Sequence, residues 1–197
     1  MCLLFESIRT ENRQFRNLRE HINRMNHSVE QIYGIKTLYH ESDLKIPDSI
    51  TDGIYKCRIL YDKKIYNIDF QLYKKRIIQK IKIIVNNEVD YSYKFTERKF
   101  FETLFIENPG YDEFIIVKNG MVTDSTFSNL ALFKEGKWHT PSTYLLNGIK
   151  RKMLLRSQFI SEQTISLDDL FRYKKIAFIN AMLDLEDIQA DIMSIVV

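Results

Sequence analysis

Cysteine is scarce. Cys2 and Cys57 are the only two in the chain, which excludes a disulfide framework and a thiolate-rich metal centre. Long apolar runs are missing as well: no stretch approaches the roughly 18 residues that a membrane-crossing helix needs. Met1-Cys2-Leu3-Leu4-Phe5 meets Glu6 and Arg9 at once, too early for the apolar core of a secretory leader. The expectation is a reduced, soluble, cytoplasmic protein with no membrane partner. The four histidines, at 21, 27, 40 and 139, lack metal-ligand spacing, so no structural zinc is expected. There is also little excess of charge, with 29 basic against 26 acidic side chains and a formal +3. That balance suits a small anionic ligand better than a nucleic acid. The densest basic run, Lys74-Lys75-Arg76 with Lys80 and Lys82, is interleaved with isoleucines and reads as a solvent face. Repeats and low-complexity tracts are absent.

What is present is apolar material. Over 197 residues, 45% are hydrophobic, enough for the core of one large or two small domains. Leu3 to Arg9 reads as a short strand with a polar edge. Asn17 and Glu20 have capping-box spacing, and Leu18, Ile22, Met25, Val29 and Ile32 recur at helical intervals up to Gly34. His21, Arg24 and Ser28 form a second, polar stripe on that helix. Ile54 to Leu60 and Ile65 to Leu72 predict a hairpin through Tyr61-Asp62-Lys63-Lys64, and Ile77 to Val85 is expected to extend the same sheet before Asn86-Asn87 turns the chain. The pattern changes near residue 88, giving an expected division into domains 1–88 and 89–197.

In the second part, Phe100, Phe101, Leu104 and Phe105 mark a helix stopped by Asn108-Pro109-Gly110. Glu113 to Lys118 and Leu130 to Phe133 are expected strands, with a hairpin turn at Asn119-Gly120 and a further turn at Glu135-Gly136. A helix begins near Gly148, Ser166 with Asp169 has capping-box spacing, and Ile176 to Ile179 is a short buried strand. Asp184 to Val197 carries no clear pattern. Alternation of strands and helices in both halves predicts an α/β (α+β) fold of two small mixed domains.

The chemistry centres on Lys94 in Asp90-Tyr91-Ser92-Tyr93-Lys94-Phe95-Thr96-Glu97-Arg98. Most lysines are surface cations, but aromatic neighbours at 91, 93 and 95 offer the desolvation that an imine-forming lysine requires. Asp124, in Asp-Ser-Thr-Phe-Ser-Asn (124–129), is either a turn cap or a carboxylate for a heterocyclic nitrogen. Gly148, Ile149 and Lys150 open a helix whose amides suit a phosphate, and Arg24 can add a bidentate clamp. Strand parity puts Lys56, Arg58 and Leu60 on one face, where Arg58 either meets solvent or holds a substrate carboxylate. Arg98 is a second candidate for that task, or a brace.

Together these segments resemble the class IV aminotransferase family, the pyridoxal-phosphate enzymes of fold type IV. Phe5-Glu6-Ser7-Ile8-Arg9 resembles the family's opening strand, and His21-Ile22-Asn23-Arg24 its helix with a phosphate-binding arginine. Lys94 matches the cofactor lysine, Asp124 stands where a ring-nitrogen glutamate is usual, and Asn129-Leu130 follows it as in the family. Thr140-Pro141, Gly148-Ile149-Lys150-Arg151 and Phe178-Ile179-Asn180-Ala181 are similar to its later motifs. The resemblance implies pyridoxal 5'-phosphate as cofactor, held by Lys94, Arg24, Asp124, Gly148, Ile149, Lys150 and Asn180 in a cleft between the two domains. It also implies Arg58, Arg98 and Ser7 as substrate contacts, an amino substrate with a carboxylate, and a homodimer.

Departures bear on the reaction. Family members carry a segment ahead of the Phe5-Glu6 strand, so one wall of the substrate pocket is expected to be shortened or supplied by a partner. Arg98 and Lys99 replace the Asn-Tyr pair of branched-chain transaminases, and Arg98 is more like the lyase branch. Ala181 replaces a hydroxyl residue, and Asp124 is one methylene short of glutamate. The favoured expectation is a 4-amino-4-deoxychorismate lyase, forming pyruvate and 4-aminobenzoate. The alternatives are a branched-chain or D-amino-acid transaminase and a non-catalytic cofactor-binding relative.

Overall fold

The computed structural model describes residues 3–36 and 39–196; Cys2 lies outside them. The chain divides into two units, Met1–Lys74 with Tyr93–Glu97, and Lys75–Ser92 with Arg98–Val197. Among the described residues the first unit is a four-stranded sheet in the order β2-β1-β3-β4, made of β1 (Leu4–Glu11), β2 (Gln14–Phe15), β3 (Ile54–Tyr61) and β4 (Ile65–Leu72). It carries the helix α1 (Leu18–Tyr33). Strand alternation sorts β1 into two faces: Leu4, Glu6, Ile8 and Thr10 are buried, while Ser7, Arg9 and Glu11 are half-buried. Ile22, Met25 and Val29 of α1 join Leu4, Ile8, Cys57, Ile59 and Tyr61 in one core.

One detail of α1 differs from the sequence expectation. Asn17 sits in the left-handed region and its side chain caps nothing; the helix start is closed instead by main-chain bonds from Glu20 and His21 to the Asn17 carbonyl. Within the polar stripe, His21 and Ser28 are buried. Gly34 ends the helix as expected, at φ 68° with its N–H on the Glu30 carbonyl.

The second unit follows chain order through β5 (Ile81–Val85), α2 (Lys99–Glu107), β6 (Glu113–Lys118), β7 (Met121–Ser125), β8 (Asn129–Lys134) and β9 (Lys137–Pro141). It continues with α3 (Ile149–Arg156), β10 (Ile160–Gln163), α4 (Leu167–Leu170), β11 (Lys175–Ile179), β12 (Gln189–Asp191) and β13 (Ile195–Val196). Among the described residues these make a nine-stranded mixed sheet, ordered β10-β9-β8-β7-β6-β5-β13 with β11 on β8 and β12 on β11. Asn119 (φ 52°) and Gly120 (φ 74°) form the tight turn between β6 and β7, the conformation that an Asn-Gly pair favours. Ser166 caps α4 by accepting the Asp169 N–H, as its spacing predicts.

The division therefore falls after Lys74 rather than near residue 88. Ile81–Val85 does not extend the first sheet: it pairs in parallel with β6, Ile81 opposite Glu113 and Val85 opposite Val117. A parallel partner some thirty residues downstream leaves no local signal in the strand itself. Tyr93–Glu97 returns to the first unit because Phe5 N–H bonds the Lys94 carbonyl (2.9 Å) and Thr96 N–H bonds the Leu3 carbonyl (2.9 Å). Lys94 is thus fixed along the edge of β1.

Candidate active site

In the first unit the structure brings Lys94 and Arg58 to one ring. The Lys94 Nζ and the Arg58 guanidinium carbon each lie 4.5 Å from the centroid of Phe5. Ser7 is paired with Arg58 across β1 and β3, so both project from the same half-open face. Phe5, distant in sequence, is thus an aromatic neighbour of the amine. Tyr93 and Phe95 pack against each other, with ring centroids 5.9 Å apart.

Arg24 belongs to the other, helix-covered face. It donates from Nε to Oε1 of Glu6 (2.6 Å) and from Nη2 to Oε2 (2.7 Å), the bidentate geometry that orients a guanidinium most firmly. His21 Nδ1 lies 2.9 Å from the same Oε2. Burial opposes charge on Glu6, but Arg24 and His21 outweigh it and hold the carboxyl well below its usual range. Burial also pushes the His21 imidazole down, against the pull of Glu6 and together with the charges of Arg24 and Lys94. A neutral His21 then donates a hydrogen bond from Nδ1–H to the Glu6 carboxylate, and its buried Nε2 has no hydrogen-bond partner among the described residues. Glu6 was missed as a site residue because the alternation of β1 announces only that one face is buried, not that a carboxylate sits in it.

In the second unit Asp124 lies on β7 and is buried. Its Oδ1 accepts from Asn129 Nδ2 (2.7 Å), and its Oδ2 from the N–H groups of Leu145 (3.0 Å) and Leu146 (2.9 Å). Desolvation nevertheless dominates and pushes the carboxyl up from 3.8 to about 6, against those three hydrogen bonds and Arg151. The folded state binds the proton more readily than the unfolded chain, so this contribution to stability is present below pH 3.8 and is lost as pH rises toward 6. Asp124→Asn should flatten that part of the profile, and urea midpoints of the cofactor-free proteins between pH 4 and 7 will check it. An open cavity of ≈ 320 Å³ borders this loop, lined by Thr123, Tyr144 and Leu145 and by Asp90, Tyr91 and Lys118.

Gly148 precedes α3 because nothing larger fits. A Cβ there would lie 1.9 Å from Asn129 Oδ1, and Asn129 is tied through Nδ2 to both Asp124 and the Leu146 carbonyl (2.8 Å). Gly148→Ala should therefore cost about 1–3 kcal/mol of stability by overpacking. Denaturant unfolding measures it, and Asn129→Gly in the same background should recover part of the loss. Ile149 is buried, while the Lys150 ammonium pairs with Asp184. The following Arg151 is a buried tie, donating to Thr140 Oγ1 (3.3 Å), the Pro141 carbonyl (2.9 Å) and Glu162.

Two further expected contacts turn inward to the Asp124–Asn129 loop. Arg98 donates to the Thr126 carbonyl and lies over the rings of Phe101 (4.9 Å) and Tyr91 (5.4 Å). Asn180 donates from Nδ2 to the Phe127 carbonyl (3.3 Å) and accepts the Met182 N–H (2.8 Å).

The family model for amino-transferase class IV matches residues 96–190. A protein of Haemophilus influenzae without an assigned function is 34% identical over 186 residues, covering 92% of this chain and 98% of its own. The chain belongs to the class IV aminotransferase family. A solved structure from Haemophilus somnus, provisionally named a 4-amino-4-deoxychorismate lyase, has a TM-score of 0.81 at 29% identity, covering 92% of this chain and 97% of that one. The pyridoxal-phosphate-bound form of a hypothetical aminotransferase from Mycobacterium tuberculosis shares the fold, with a TM-score of 0.73 at 13% identity and coverage of 98% and 81%. Class IV aminotransferases bind pyridoxal 5'-phosphate, and each unit holds donors whose chemistry fits that group. The first has an amine and a guanidinium; the second has a helix start and Asp124, which uses three of the four or so lone-pair positions of a carboxylate and leaves one for a ring N–H. Among the described residues no helix is long and apolar enough to cross a membrane.

Proposed function

We propose that this protein is a pyridoxal-phosphate-dependent 4-amino-4-deoxychorismate lyase, acting on an amino substrate with carboxylates and releasing pyruvate and 4-aminobenzoate. The observation that carries this reading is the placing of the Lys94 amine and the Arg58 guanidinium around the Phe5 ring, with Ser7 opposite Arg58. An amine able to form an imine and a cation suited to a substrate carboxylate thus each lie 4.5 Å from the centroid of one ring, which supports this reading. The Haemophilus somnus likeness adds support for the lyase branch.

When bound, the cofactor supplies an aldehyde for amine capture and a ring that accepts the electron pair left when a proton is lost. The chain's own residues do the rest. Lys94 would hold the aldehyde and, as the free amine, would take the proton from the substrate carbon bearing the amino group. Arg58 and Ser7 would orient the substrate by its carboxylate. Arg24, held by Glu6, in the first unit and the amides at Gly148, Ile149 and Lys150 in the second are each suited to a phosphate. Asp124 would keep the ring nitrogen protonated, and Asn180 holds the loop that follows Asp124 through the Phe127 carbonyl. Assembly as a homodimer belongs to the same proposal.

A second reading, an amino-acid transaminase, is favoured by one observation. Arg98, whose presence pointed to the lyase branch, is engaged with the Thr126 carbonyl. Incubation with aminodeoxychorismate decides between them. The lyase yields pyruvate with 4-aminobenzoate; formation of neither, with ready conversion of an amino acid to its 2-oxo acid, establishes the transaminase.

A further inference from the structure

Glu113 opens β6 as a buried carboxylate that the chemistry above does not use. It accepts from Thr126 twice, from N–H at 2.9 Å and from Oγ1 at 2.5 Å, and from the Phe114 N–H at 3.1 Å. Thr126 lies midway between Asp124 and Asn129, where the chain leaves the β6–β7 ladder after the Ile115–Ser125 pair. Behind Glu113, Arg76 donates to Oε2 (3.1 Å) and to the Asp112 carbonyl (2.9 Å), and its guanidinium lies 4.9 Å from the Phe127 ring centroid. Burying a carboxylate is unfavourable unless it is paired and hydrogen-bonded, and a strand needs none at its first position. An acceptor for an N–H and a hydroxyl at one point, however, is what an irregular loop requires to hold one conformation.

We infer that Glu113, backed by Arg76, is the positioning residue for the 124–129 loop and through it presents the Asp124 carboxyl to the ring nitrogen of the cofactor. The inference rests on the cofactor reading above and adds the residue that sets its nitrogen contact. An amide at 113 could keep its oxygen on the Thr126 donors, which share Oε1 with the Phe114 N–H, whereas leucine there leaves both Thr126 donors without that acceptor. Loss of the anchor should therefore be felt at the ring nitrogen and not at the phosphate or the aldehyde.

The test compares dissociation constants for pyridoxal 5'-phosphate and for its 1-deaza analogue, which lacks the ring nitrogen, in the wild type, Glu113→Leu, Asp124→Asn and the double variant. Glu113→Leu should weaken the natural cofactor on the order of 10- to 100-fold, the scale of lost outer-shell partners in preorganised sites, and leave the analogue within about 2-fold. Adding Asp124→Asn should then cause little further loss. Equal weakening of both compounds, or no change in either, overturns the inference. Should Glu113→Leu fail to fold, Thr126→Val removes the hydroxyl donor alone and must shift the same ratio. A wild-type protein that binds neither compound sinks the cofactor reading instead. The anchor itself is then decided in the free protein, where Glu113→Leu must speed Thr126 amide exchange and move the Asp124 carboxyl titration; an unchanged rate and titration overturn it.

Discussion

Lys94→Ala should abolish the near-visible absorbance that pyridoxal 5'-phosphate acquires on bonding to the protein, and should lower turnover on the order of 10³-fold or more. Two losses combine in this one change. The amine that captures the cofactor aldehyde disappears, and with it the base that moves the proton at the substrate carbon. The fold should survive, because the Lys94 carbonyl accepts the Phe5 N–H whatever the side chain. Lys94→Arg keeps the positive charge near Phe5 but cannot form the bond, so it should be as inactive as alanine. Unaltered denaturant midpoints in both variants, with the absorbance band missing, will separate lost chemistry from lost structure.

The largest effect on stability is expected at Glu6. Removing one member of a buried, hydrogen-bonded ion pair strands the other, and Glu6→Ala leaves the largely buried Arg24 without its bidentate partner and His21 without its acceptor. The cost should be about 3–5 kcal/mol, readable as a fall in the urea midpoint. Glu6 also sets an acid limb. Its folded carboxyl is held well below the ordinary 4.5, so the unfolded chain binds the proton first. The stability it contributes is present above pH 4.5 and is lost as pH falls toward the depressed native value. Glu6→Gln should remove that limb, whereas the limb owed to Asp124 runs the other way and should persist.

Much of the fold was legible because its signals are local. The apolar periodicity of α1, the left-handed Gly34, the Asn119-Gly120 turn and the apolar run of β11 each lie inside their own element. The site was legible in its residues but not in their partners. His21, Arg24 and Ser28 form a visible polar stripe, yet nothing on α1 says that the stripe is buried, since its counter-charge stands on β1. Arg98 and Asn180 were found from family spacing as ligand contacts, while the structure turns both to main-chain carbonyls of one loop. Glu113 read as the polar boundary of an apolar strand, because its partner Thr126 lies in an irregular segment where no periodicity applies. Ile81–Val85 was seen as a strand and assigned to the wrong sheet, for parallel pairing leaves no mark on either strand alone. The tail after Asp184 hid β12 and β13, both too short to show alternation.

The chemistry proposed here depends on one bond between the cofactor aldehyde and one side chain. Borohydride reduction of the protein loaded with pyridoxal 5'-phosphate, followed by digestion and peptide sequencing by mass spectrometry, locates that bond directly. A single pyridoxyl group is expected on Lys94, in the peptide that carries Tyr93 and Phe95. A pyridoxyl group on another lysine in preference to Lys94, or none after saturation with cofactor, would contradict it.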